Sequence, residues 1–179
     1  RQTAANGFAR GKDVLGNQLP ADGWPNVILK VNSTHTERDN IKGPFSLFYN
    51  LKGRSLVGLD NQWHSVSNHF YCLSNQDQHF SLHIPREEVT TTSNIHFGQK
   101  LYQDVVQNQS HSSNWLLDNM NNTLVTDLEL LAKTAFMISE LQSKIQALHT
   151  YQQQNESDYS PDKEYEMTGS ILEHLLFVN

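Results

Sequence analysis

Between residues 45 and 84 the chain sets four short apolar runs, each closed by turn-forming residues, and this spacing constrains the fold more than any other feature. Phe45–Leu51 is the clearest strand. Lys52–Gly53–Arg54 is turn-like and Ser55–Leu59 begins another strand, so the pair predicts a β-hairpin. His69–Leu73 predicts a third strand and Phe80–Ile84 a fourth, ended by Pro85, which has no N–H to give a ladder. Such strands form a sheet that must bury one face against something.

The cover is expected from the second half. Phe97, Leu101 and Val105 recur at intervals of four and mark one face of a short helix. Leu124, Leu128, Leu131, Ala135, Ile138, Leu141, Ile145 and Leu148 follow in steps of three and four, a single helical stripe. Thr126 with Glu129 makes a capping-box pair, so the regular helix is expected from about residue 127. The stripe has two readings: cover for the sheet, or a face for a partner helix. Lys133, Lys144 and several Gln on the outer side lack the ordered charges of a strong coiled coil, which favours sheet cover. Asn26–Val31 reads as a strand or a helix turn, with its β-branched residues leaning to strand, and polar residues 32–42 read as a connection. Residues 1–26, rich in Gly and Pro, read as an irregular lead-in; residues 151–166 read as a flexible loop and Ile171–Val178 as a closing strand. The expectation is one α+β domain over residues 1–179, an antiparallel sheet covered by helices.

Composition narrows the function classes. With 179 residues, including 8 Phe, 6 Tyr and 3 Trp, the chain can bury a core without metals or crosslinks. Its 19 acidic and 13 basic residues give a net charge of −6 with no basic stripe, which argues against nucleic acid. Cys72 is the only cysteine, so no internal disulfide forms, and a reducing, intracellular compartment is expected. A secreted form is disfavoured despite four glycosylation triplets starting at Asn32, Asn108, Asn121 and Asn155. No apolar run approaches membrane-spanning length, and the opening RQTAANGFARG lacks the apolar stretch of a signal peptide.

No self-contained catalytic motif is present, and binding is favoured over enzymatic activity. Cys72, inside an aromatic run, reads as a small buried hydrophobe rather than a reactive thiol. His64, His69, His79 and His83 crowd one stretch, but without carboxylates at ligand spacing, so no metal site is expected. The pairs Ser74–Asn75 and Ser93–Asn94 read as strand-end Asx turns.

The order of these segments resembles the TANGO2 family, once grouped by an Asn-Arg-Asp-Glu motif. Arg10–Gly11, Gly43-Pro44-Phe45-Ser46-Leu47, Cys72-Leu73-Ser74-Asn75 and Thr92–Gly98 are similar to successive family segments. So are the helices Gly98–Val106 and Leu116–Asp127, and Met167-Thr168-Gly169-Ser170 before an apolar run. The Met-Cys start and the Asn-Arg-Asp-Glu stretch are missing, Ser170 stands where the family has Arg, and no Trp-Pro-Lys follows Ser-Asn. The chain would then be a shortened or divergent member. The resemblance implies an αββα fold like that of N-terminal-nucleophile hydrolases, cytoplasmic or mitochondrial residence, and haem or lipid handling. With Arg1 in place of the nucleophile, amide hydrolase chemistry is not supported.

The expectation is therefore a small-molecule binding domain with no obligatory cofactor; the resemblance implies a haem- or lipid-like ligand, with the amides of Asn75 and Asn94 as candidate ligand residues. The expected pocket is lined by the Phe45–Leu51 and Phe70–Leu73 strands. The alternatives are a protein-interaction domain using Leu124, Leu131 and Ile138 on the 124–148 helix, and a divergent hydrolase.

Overall fold

A computed structural model of the protein describes residues 23–86, 88–111 and 134–178. They fall into two compact units, residues 23–99 with 134–138, and residues 100–111 with 139–178.

The first unit contains β1 (Val27–Ser33), β2 (Thr36–Lys42), β3 (Phe45–Lys52), β4 (Ser55–Leu59), β5 (Gln62–Val66), β6 (Phe70–Ser74), β7 (His79–Ile84), β8 (Thr90–Phe97) and β9 (Thr134–Phe136). They form two antiparallel sheets, ordered β1-β8-β3-β6-β9 and β2-β7-β4-β5. The chain changes sheets after β1, β2, β3, β5, β6 and β7. Apart from β9, this strand order is that of a double-sheet jelly roll. Phe48 and Cys72 from one sheet meet Ile41, Val57, Leu59, Val66 and Phe80 from the other in one apolar cluster, so the inner faces cover each other.

The expected β3–β4 hairpin does not form. Both edges of β3 are taken, by β8 and by β6, so β4 has no place beside it and pairs instead with β5 and β7. Lys52–Gly53–Arg54 does turn the chain, but carries it from one sheet to the other. Gly53 has φ +78°, and a Cβ there would lie 2.6 Å from Thr90 Oγ1, which leaves room for glycine alone. The true hairpin joins β4 to β5 through Asp60 and Asn61, at φ 50° and 62°, a two-residue turn of type I′.

Two other readings are corrected by pairing. Residues 36–42, read as a polar connection, form β2, an edge strand whose outward side chains face water. Thr90–Phe97 forms β8, flanked by β1 and β3, so Phe97 ends a strand rather than starting a helix.

The second unit holds α1 (Gln99–His111, all but its first residue), α2 (Ser139–Gln152) and α3 (Pro161–Glu173), the last continued by a π-helical turn at His174–Val178. The expected flexible loop shrinks to residues 153–160, and the expected closing strand is helical. Ser160 caps α3 by accepting from Lys163 N, Pro161 follows it, and Asp162 and Glu164 lie in the first turn. These are ordinary helix-start signals that polarity alone conceals. Tyr151 OH accepts from Ser160 N at 2.6 Å, and the Tyr151 and Tyr159 rings stack at 5.7 Å, which fixes the α2–α3 corner. Gly169 lets α3 approach α1: a Cβ there would be 3.4 Å from Leu101 Cδ1.

The proposed 124–148 stripe is interrupted, because Thr134–Phe136 pairs with β6 and α2 starts only at Ser139. Leu141, Ile145 and Leu148 are buried on α2, whereas Ile138 precedes the helix and is half-exposed. Leu124 and Leu131 lie outside the described residues, as do Arg10–Gly11 and Leu116–Asp127.

Candidate functional site

The interior of the jelly roll has two unlike walls. Alternation along β3 sends Ser46, Phe48 and Asn50 inward, and pairing with β8 adds His96, Asn94 and Thr92 on the same face. The opposing sheet contributes mainly apolar side chains. A sandwich built for stability alone fills both inner faces with apolar groups, because each buried polar group must find a partner.

Most of these groups do. Ser46 Oγ donates to Pro44 O at 2.8 Å and lies 2.7 Å from His96 Nδ1, so the imidazole carries its proton on Nδ1 and donates to the hydroxyl. His96 stacks on Phe80 at 5.9 Å and meets Phe48 edge-on at 6.0 Å. Burial in this apolar clamp lowers its pKa to about 3, so the ring is neutral at physiological pH. Asn50 Nδ2 donates to Val66 O at 3.0 Å, tying β3 to β5. Ser74, opposite Ser46 on β6, has a buried hydroxyl with no partner among the described residues, and His64 Nε2 on β5 is likewise buried without one.

The interior meets solvent where β1 and β2, the outer strands of the two sheets, are joined by a short connection. Ser33 Oγ and Thr36 Oγ1 lie 2.6 Å apart across it. Leu29 and Val31 share the inner face with their partners Asn94 and Thr92, yet Val31 remains 46% exposed. On β2, Arg38 opposes Leu82, which packs against the core cluster, so Arg38 stands on the inner side of its strand. Its guanidinium pairs with no carboxylate of the described residues. The opening thus combines a half-buried apolar strip, an unpaired cation and the Asn94 amide.

Of the two candidate amides, Asn94 is inside, in the middle of β8 rather than at a strand-end turn. Asn75 lies in the turn after β6, where its N–H donates to Gln78 Oε1 and its carbonyl accepts from Gln78 N. The fold therefore does not bring the two together on one wall. Cys72 is fully buried between the sheets. His79 and His83 share the outer face of β7, where His83 Nδ1 lies 3.6 Å from Glu37 Oε1. Among the described residues no group of His, Cys, Asp and Glu is arranged to hold a metal. Sequence reasoning missed Arg38, Ser46 and His96. The signal for His96 was the alternation Thr92, Asn94, His96, but polar alternation is ordinarily read as the solvent side of a strand.

No protein-family model matches the sequence, and no curated protein does. Among solved structures, apo ToxT K231A from Vibrio cholerae strain SCE256 is similar over 91% of this chain and 61% of that one, at TM-score 0.53 and 12% identity. Wild-type ToxT from the same strain, with unsaturated fatty acid bound, is similar over 85% of this chain and 55% of that one, at TM-score 0.48 and 10% identity. The chain thus spans about three fifths of the first of these structures. At such identity the likeness is one of fold. It overturns the layered hydrolase-like fold and the TANGO2 resemblance on which that fold rested. Cytoplasmic or mitochondrial residence loses its support with that resemblance. No helix of the described residues is long and apolar enough to cross a membrane.

Proposed function

We propose that this chain is a non-catalytic binding domain for a small amphipathic carboxylate, of which an unsaturated fatty acid is the type. The observation that carries the reading is the β1–β2 opening, where the exposed Arg38, paired with no carboxylate among the described residues, stands opposite Leu82 on the inner side of β2, while Leu29, Val31 and Asn94 share the inner face of the other sheet. A carboxylate would satisfy the guanidinium through two parallel hydrogen bonds while its chain covers the exposed apolar strip. The likeness in fold to ToxT, a protein also solved with an unsaturated fatty acid bound, supports the same ligand class. An intracellular place of action belongs to this reading and rests on the lone Cys72.

The test is a titration with cis-parinaric acid, followed by its fluorescence, in wild type and in Arg38→Gln. Wild type is expected to bind saturably, and the variant about tenfold more weakly, the equivalent of one charge-assisted hydrogen bond. The corresponding alcohol should bind both proteins alike. Equal affinity of the acid for both proteins, or no saturable binding, would refute the proposal. Haem, an apolar ring bearing carboxylates, is the second probe in the same titration.

A further inference from the structure

The outer face of the four-stranded sheet carries an unrelated feature, an open depression of about 640 Å³. Its floor is a single row across three strands: Trp63 on β5, Gly58 on β4 and Ser81 on β7 oppose one another directly. Since Val57 and Leu59 point into the core, Gly58 and its two partners point outward. The indole leans over the glycine, where a Cβ would lie 3.2 Å from Trp63 Cζ3. Part of that arrangement shields the glycine backbone. Yet Trp63 is 57% exposed, so an indole face remains open to solvent.

Around this platform three turns bring polar side chains together. Asn40 comes from the bulge in β2, Asp60 and Asn61 from the β4–β5 hairpin, and Asp77 and Gln78 from the β6–β7 turn. Asn40, Asp60, Asn61 and Asp77 are the described non-glycine residues with positive φ, and all of them line this depression. Asn and Asp tolerate that conformation best, which explains their presence in the turns but not the gathering of three turns at one place. The carboxylates are already engaged: Gln78 Nε2 donates to Asp60 Oδ2 at 3.0 Å, and Trp24 Nε1 to Asp77 Oδ1 at 3.1 Å. Lys42 Nζ, 3.9 Å from Asp77 Oδ1, offsets the second charge further.

What remains is a surface of amides, an open indole face and hydrogen-bonded carboxylates. No Lys or Arg lines the depression, so it does not suit an anion, and the engaged carboxylates weaken its appeal to a cation. Amide side chains offer paired donors and acceptors, the pattern that vicinal hydroxyls require, and an exposed indole accepts a C–H-bearing ring face. We infer that this outer face is a binding site for neutral saccharides, with the sugar ring laid on Trp63 and its hydroxyls held by Asn61 and Gln62. The site does not depend on the β1–β2 opening, and either can fail without the other.

Saturation-transfer NMR with maltose, lactose and cellobiose tests it on the full chain. At least one of the three is expected to receive saturation at its ring protons, and Trp63→Ala should weaken that binding about tenfold or more. Should Trp63→Ala fail to fold by circular dichroism, Asn61→Gly decides, since it keeps the left-handed turn and removes only the amide. It should weaken binding about threefold, the loss of one modest hydrogen bond. No transfer to any of the sugars overturns the assignment, as does undiminished binding by both variants. Transfer to tetramethylammonium and to none of the sugars overturns it in favour of a cation site.

Discussion

Replacing His96 by Phe tests whether the polar wall is as dry as its geometry indicates. The ring sits between Phe80 and Phe48 and is 2% exposed, and burial holds its pKa at about 3 against 6.5 for a free histidine. Above pH 6.5 neither the folded nor the unfolded chain is protonated at this position, and the stability contributed there is complete. As pH falls below 6.5 the unfolded chain gains a proton that the native chain does not take up until about pH 3, so stability is lost across that window. The loss runs at about 1.4 kcal/mol per pH unit and reaches about 2 kcal/mol by pH 5. For a chain of this size that is a fall in Tm of about 4–8 °C. Phenylalanine fills a similar volume and does not titrate, while Ser46 keeps Pro44 O as its acceptor. Urea unfolding of both proteins at pH 7.5 and pH 5 therefore isolates this one group, since every other histidine is common to the two. Wild type is expected to lose about 2 kcal/mol more than His96→Phe over that interval. Equal losses would refute the reasoning, because they would mean that water reaches the imidazole and that the wall is solvated.

Gly53→Ala should destabilise the first unit by about 1–3 kcal/mol in urea unfolding, because φ +78° and the nearby Thr90 both resist a side chain; a neutral effect would show that the β3–β4 crossing relaxes freely. Tyr165→Phe removes the 2.6 Å bond from the phenol to Asp104 Oδ2 in the second unit. It should cost about 1 kcal/mol at neutral pH, discounted for partial exposure. Desolvation, with the hydrogen bond and charge of Asp104, raises the Tyr165 pKa above the ordinary tyrosine value, so ultraviolet titration of Tyr165→Phe should lack one late-ionising phenol.

Strand identity along residues 45–84 was legible because apolar runs bounded by turn residues are a local property. β3, β4, β6 and β7 lie within a residue or so of their expected limits. Partnership was not legible. β3 and β4 are adjacent in sequence and carry a convincing turn, but β3 pairs with segments that begin at residues 70 and 90. The helical stripe misled for a related reason: Ala135 fits a period of 3.6, yet β6 offered Thr134–Phe136 a free edge, and Phe136 lies 4.6 Å from Phe70 across it. Residues 161–166 read as part of a loop on polarity, although Ser160, Pro161 and Glu164 spell a helix start. The choice of Asn94 rested on its amide chemistry, and the fold sets that amide on the inner wall. Arg38 could not be singled out, because nothing local distinguishes an exposed arginine on the inner side of an edge strand from one on its outer side.

By itself, then, the sequence determined the mixture of short strands and helices, the absence of an internal disulfide, and the acidic balance. These depend on composition and on periods shorter than a dozen residues. The tertiary structure decided which face of each strand is inside. In β8 a period of two separates Thr92, Asn94 and His96 from Ser93, Ile95 and Phe97, and the rule that apolar side chains turn inward would send the first set to solvent. Both faces of β8 are instead buried, the first set against the opposing sheet. Only pairing between strands far apart in sequence could turn those polar groups toward the interior and place Arg38 at its mouth.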